Sequence, residues 1–292
     1  MHKLQNDTLK ITVSDRGAEL KSITALSDGT EYLFDSDPKW WKFSSPILFP
    51  IVGRLVDNKY RAEGKEYSLP GHGFGRTTDF WLVDATDDTL TFALESNAAT
   101  LKVYPYKFRL EVSFVLRGNE VNVRWKVANA DDKTIYFSIG AHPALSCPVN
   151  YRENFDDCYL KFNRAEKSSC LKLLSDGTLS RERTPILDGT ELALSYELFK
   201  GDAIVFDDLK SDEVTLCSRK SSKSITIRAK GFPYWGFWTP AAGGAPFLCI
   251  EPWHGHADFA DFTGELKDKE GIIALEVGKT FETEMSFIIG DA

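Results

Sequence analysis

Four stretches of the sequence set polar side chains among glycine, proline and aromatic residues, where secondary-structure propensity alone would not put them. They are PILFPIVGRL (46–55), LPGHGFGR (69–76), FSIGAHPALSCP (137–148) and PFLCIEPWHG (246–255). Together they supply the carboxylate of Glu251, the imidazoles of His72 and His142, and the guanidinium groups of Arg54 and Arg76. Glu251 ends the apolar run Phe247, Leu248, Cys249, Ile250. A carboxylate there is costly unless it is paired or functional, and burial would raise its pKa towards neutral, which suits a general base. His142 precedes Pro143, which biases it to an extended backbone. His72 lies between two glycines, residues that let another molecule approach the main chain. Each residue alone has a plainer account: an ion pair for Arg54 or Glu251, a solvated turn for His72, a satisfied strand end for His142. No GxSxG elbow, phosphate loop or dinucleotide fingerprint occurs, so the chemistry that remains is proton transfer.

The elements that must hold these groups are strands. Apolar residues alternate with polar ones at Leu9, Ile11, Val13 and at Leu90, Phe92, Leu94. The longest pattern runs Phe108, Leu110, Val112, Phe114, Leu116, then Gly118-Asn119, then Val121, Val123, Trp125, Val127. This predicts two strands joined by a tight turn, since Gly and Asn tolerate positive φ. Ile135, Phe137, Ile139 follow, then Val214 with Leu216, Ile225 with Ile227, and a last run through Phe281, Met285, Phe287 and Ile289. Asp-Gly or Glu-Gly pairs at 28–29, 63–64, 176–177 and 188–189 mark turns. Only 191–199 and 258–267 read as candidate short helices. Many short antiparallel strands with few helices predict an all-β sandwich or barrel. With no linker or charge run dividing it, the chain reads as one domain over residues 1–292.

Bulk properties exclude several roles. A net charge of −8, from 43 acidic and 35 basic residues, argues against nucleic acid or anionic membrane as a partner. Five widely spaced cysteines without CxxC suggest free thiols in a reducing compartment rather than a disulfide framework. The first residues lack an apolar signal core and no 18-residue apolar stretch follows, so a cytoplasmic location is expected. Nothing in the sequence sets the oligomeric state.

With FPIVGR at 49–54, HGFGR at 72–76, GAHPAL at 140–145 and CIEPW at 249–253 in that order, nearly the whole chain resembles the aldose 1-epimerase (galactose mutarotase-related) family, most closely its LacX-like branch. The resemblance implies a large antiparallel β-supersandwich. It also implies an isomerase that interconverts the α and β anomers of a hexose, with no cofactor and no metal. It assigns Glu251 as base on the anomeric hydroxyl and His142 as acid towards the ring oxygen. His72 and Arg54 bind and polarise the sugar, Asp202 (or the nearby Asp207) binds a hydroxyl, and Trp238 is a candidate aromatic contact. HGFGR also resembles the glucose-6-phosphate 1-epimerase branch, whose arginines hold phosphate, so Arg76 with Arg54 leaves a phosphorylated substrate open. A non-catalytic carbohydrate-binding protein is the third alternative. HGHAD (254–258) offers two histidines and an aspartate to a divalent metal, but lacks a dependable third ligand position. An exposed loop beside Glu251 is the favoured expectation there.

Overall fold

The computed structural model describes residues 1–150 and 152–291. Strands take 51% of the chain and helix 7%, which makes the fold all-β, a large antiparallel β-supersandwich. Its main sheet has 15 strands, and sheets of three, two and two strands accompany it. At one end of the main sheet lie Ile47–Leu48, Ile139–Ala141, Phe247–His254, Tyr234–Trp238, Ile204–Phe206 and Cys158–Leu173, hydrogen-bonded in that order. The other end runs from Glu213–Ser218 out to Trp81–Ala85.

The alternation seen in the sequence builds this second half. Phe108–Arg117 pairs with Glu120–Asn129 in the register Arg117 opposite Glu120, with Gly118 at φ +53 in the turn. The apolar residues of both strands enter one large core cluster. Each fully buried side chain of this kind contributes about 1.5–3 kcal/mol, before the entropy cost of ordering the chain.

The two helices expected from sequence do not form. Residues 191–193 end the long Leu179–Ala193 strand paired to Cys158–Leu173, leaving one 3₁₀ turn at Tyr196–Phe199. In 258–267 the Asp258 side chain is held by Lys269 at 2.7 Å, and helical turns start only at Leu266–Asp268. Tertiary partners outweigh the weak helical pattern in both places.

Candidate functional site

Phe247–His254 lies between Tyr234–Trp238 on one side and Ile139–Ala141 and Ala144–Ser146 on the other. Side chains of a strand alternate between faces. Leu248 and Ile250 therefore join the main core, whereas Phe247, Cys249 and Trp253 join two smaller clusters on the opposite face. Glu251 shares that second face. The apolar run in the sequence is thus a strand buried on both sides, with its one carboxylate facing a cavity of about 480 Å³. That size is within the ~300–1,000 Å³ typical of small-molecule sites.

Backbone pairing brings the four stretches together. The N–H of His72 donates to the Gly53 carbonyl at 2.8 Å and that of Phe49 to the His72 carbonyl at 3.3 Å, clasping 46–55 against 69–76. The two chains approach so closely that a Cβ on Gly73 would lie 2.3 Å from the Phe49 carbonyl oxygen. The His142 N–H donates to Pro46 O at 3.1 Å, and Ile250 N–H to Pro143 O at 3.2 Å. His72, Arg54, Arg76, His142, Asp202, Trp238 and Glu251 all line the one cavity.

At its base, His142 Nε2 stands 3.2 Å from Glu251 Oε2, with side chains only 8% and 2% exposed. Neither His142 Nδ1 nor Glu251 Oε2 has a hydrogen-bond partner. Burial drives the Glu251 carboxyl well above the ordinary carboxylate range, only partly offset by the Trp253 indole, while Asp202 pushes it further up and Arg76 pulls it down. Burial also drives His142 well below an ordinary imidazole, helped by His72 and Arg76. Both shifts favour the uncharged forms, a protonated carboxyl beside a neutral imidazole.

His72 adopts φ +66, a left-handed conformation uncommon for a residue with a Cβ. Its Nδ1 accepts the Gly53 N–H at 3.2 Å. An imidazole that accepts at Nδ1 is neutral and carries its proton on Nε2. Burial and the nearby Arg76 and Arg54 hold its pKa down to about 3, so His72 is a neutral donor through Nε2.

Neither arginine is spent on a carboxylate among the described residues. Arg76 donates Nη2–H to the Gly71 carbonyl at 3.0 Å and lies 5.0 Å over the Phe43 ring. Arg54 packs its stem against Gly177 and Gly71, where added methyl groups would meet it at 2.5 and 3.2 Å. Asp202, at φ +74, is exposed on the cavity wall. Asp207 is bound by both terminal nitrogens of Arg183 at 2.7 and 2.6 Å and does not line the cavity. Of the two aspartates left open by the sequence, the cavity contains Asp202.

Trp41 went unnoticed in the sequence. Its ring lies 4.6 Å from His142 at 31°, and 5.6 Å edge-on from Trp238. Its only signal is a tryptophan pair inside the polar, non-periodic segment DSDPKWWKFSS.

HGHAD is not an exposed loop. His256 is 1% exposed, its Nδ1 lies 2.6 Å from the Ala257 carbonyl, and Tyr234 and Phe259 pack on its ring. His254 contacts Thr283 Oγ1 at 3.0 Å and stacks near Phe232 and Phe281. Asp258 is tied to Lys269, both 2% exposed, and His256 keeps only its Nε2 without a hydrogen bond among the described residues. The cluster of potential metal ligands found among the described residues is instead His142, Cys249 and Glu251, with donor atoms within 4.8 Å of one another. A larger hollow of about 770 Å³ around Trp40 holds Glu31, already bonded to Ser22, Thr24 and the Ile23 N–H, and Lys223, paired with Asp28. Among the described residues that line it there is no buried carboxyl–imidazole pair. Among the described residues no helix is long and apolar enough to cross a membrane.

The sequence and the fold are both similar to those of known proteins. The galactose mutarotase related enzyme from Lactobacillus acidophilus superposes with a TM-score of 0.95 at 33% identity, covering 99% of this chain and 97% of its own. A galactose mutarotase-like protein from Lactobacillus casei gives 0.94 at 29% identity, with 99% of each chain covered. Protein LacX from Lactococcus lactis is 36% identical over 276 residues, 91% of this chain and 92% of its own. With residues 1–274 matching the family aldose 1-epimerase as well, the chain belongs to the aldose 1-epimerase family.

Proposed function

We propose that this protein is a mutarotase that interconverts the α and β anomers of a free hexose, without a cofactor, using the proton shared by Glu251 and His142. The observation that carries this reading is their buried 3.2 Å approach at the base of a sugar-sized cavity, with Glu251 Oε2 and His142 Nδ1 both left without a hydrogen bond among the described residues. As carboxylate and imidazolium, Glu251 takes the proton of the C1 hydroxyl while His142 protonates the ring oxygen. The hemiacetal C1–O5 bond breaks and leaves an open-chain aldehyde. Rotation about C1–C2 turns the other aldehyde face to the C5 hydroxyl. Closure then returns one proton to His142 and takes one from Glu251, so the pair ends as it began. Before the sugar binds, burial favours the neutral pair, and direct transfer from Glu251 to His142 gives the charged form.

The neutral His72 donates Nε2–H to a sugar oxygen, Arg54, Arg76 and Asp202 hold hydroxyls, and Trp238 presents an aromatic edge. Positioned acids and bases each contribute about 10²–10⁴-fold. Residues 1–292 act in this reading as one domain, consistent with a main sheet that draws strands from Ile47 to Asp291.

A second reading has its own observation. Arg54 and Arg76 both line the cavity and, among the described residues, pair with no carboxylate, which suits a phosphorylated hexose. NMR measurement of the approach to anomeric equilibrium, with galactose, glucose and glucose 6-phosphate, separates the cases. Acceleration of the free sugars is expected. Acceleration of the phosphate alone selects the second reading, and binding without acceleration of any sugar reduces the protein to a carbohydrate-binding module.

A further inference from the structure

Cys249 takes no part in the proton transfer above, yet it is buried beside the pair that does. It is two residues before Glu251 on the same strand face, fully buried, and packs with Phe247 and Ala144. Its Sγ, one nitrogen of His142 and one oxygen of Glu251 all lie within 4.8 Å of one another. His142 Nδ1 and Glu251 Oε2 are unpartnered, in residues 6% and 1% exposed. Nitrogen, sulfur and oxygen donors in one small volume suit a borderline-soft cation. Around zinc such donors stand about 3.4–3.6 Å apart, given bonds of roughly 2.0–2.3 Å, so the set needs only a modest contraction.

We propose that His142, Cys249 and Glu251 form a site for a thiophilic divalent cation of the zinc class, and that its occupation shuts the sugar site. The charge balance favours it. The thiol of Cys249 and the carboxyl of Glu251 each release a proton to solvent, and His142 gives its ring lone pair. One doubly charged cation with one thiolate and one carboxylate is neutral overall, the form a buried site accepts at least cost. His142 and Glu251 line the cavity, from which a water would complete the coordination. Arg54 and Arg76, on the cavity wall, disfavour cations that gain only charge attraction, such as magnesium. The cation thereby ties up both groups that carry the shared proton.

The test uses protein made without a histidine tag. Calorimetric titration with Zn²⁺ should give one bound ion per chain, and Cd²⁺ should raise a thiolate-to-metal absorption band. Cys249→Ser should remove the band and weaken Zn²⁺ at least about tenfold, and Glu251→Gln should weaken Zn²⁺ comparably. The neighbouring thiols Cys147 and Cys158 are the internal control: their double serine variant should keep both signals. Absence of binding to the wild type, survival of the band in Cys249→Ser, or its loss in the Cys147→Ser/Cys158→Ser protein would each overturn the proposal. Binding is read without any sugar, so it stands or falls separately from the mutarotase reading. If that reading holds, one equivalent of Zn²⁺ should also stop anomerisation, and chelation should restore it.

Discussion

Two buried acid–base pairs in this protein are built in opposite ways. Asp258 and Lys269 meet at 2.7 Å, both 2% exposed, and Asp258 accepts a second hydrogen bond from the Val56 N–H at 3.0 Å. Glu251 and His142 meet at 3.2 Å and are also buried, but among the described residues each keeps an atom without a hydrogen bond. Glu166 sides with the first kind: its carboxylate accepts from the Ser211 hydroxyl and from the Lys210 and Ser211 N–H groups. A buried charge with all its partners made is structural. One left short of partners is held at a cost in stability, and the cost is informative where the missing partner has the shape of a ligand.

Several changes break or sharpen this contrast. The largest effect is expected from Glu251→Gln or His142→Asn, each lowering kcat/KM for anomerisation about 10²–10⁴-fold with an unfolding midpoint at or above that of the wild type. Polarimetry with parallel denaturant titration checks both halves, and a large loss of stability with normal rates would erase the contrast. Asp258→Asn should do the reverse, costing about 3–5 kcal/mol by stranding the Lys269 ammonium, while kcat of the folded enzyme is kept. Adding Lys269→Met should recover much of that loss. Trp41→Ala should raise KM by roughly 2–10-fold through lost ring contact, about 0.5–1.5 kcal/mol, with little change in kcat; a fall in kcat alone would make the tryptophan a positioning group for His142 instead.

The smallest effect concerns the two histidines of HGHAD. Burial lowers His254 and His256 to about 4. The unfolded chain, near 6.5, therefore takes up protons first as the pH falls. Stability should be complete above about pH 6.5, decline towards pH 4, and level off below. His256→Gln should flatten that slope by at most about 1.4 kcal/mol per pH unit, measured as the denaturant midpoint against pH.

Much of this architecture was legible in the residues. Strands such as Phe108–Arg117 bury one face, and alternation reports that directly. The four polar stretches meet at one cavity, held there by backbone pairings between segments far apart in sequence. What sequence could not give was the partner. Arg183, 24 positions before Asp207, takes that aspartate out of contention. Four aromatic rings, from Phe232, Tyr234, Phe259 and Phe281, wrap the two imidazoles expected in solvent. Trp41 carries no periodicity at all, since the segment that holds it belongs to no strand. Local patterns report faces and turns; they are silent on which distant side chain fills a given face.

Trp253 shows a last consequence. Its six-membered ring lies where a methyl group on Gly236 would stand, 2.3 Å away, and its five-membered ring is 2.6 Å from the corresponding point on Gly140. The floor beneath Glu251 is thus set by two missing methyl groups on neighbouring strands. An alanine at either place would force the indole out of this seat and against the cavity that Glu251 faces, reshaping the site through a residue that carries none of its acid–base chemistry.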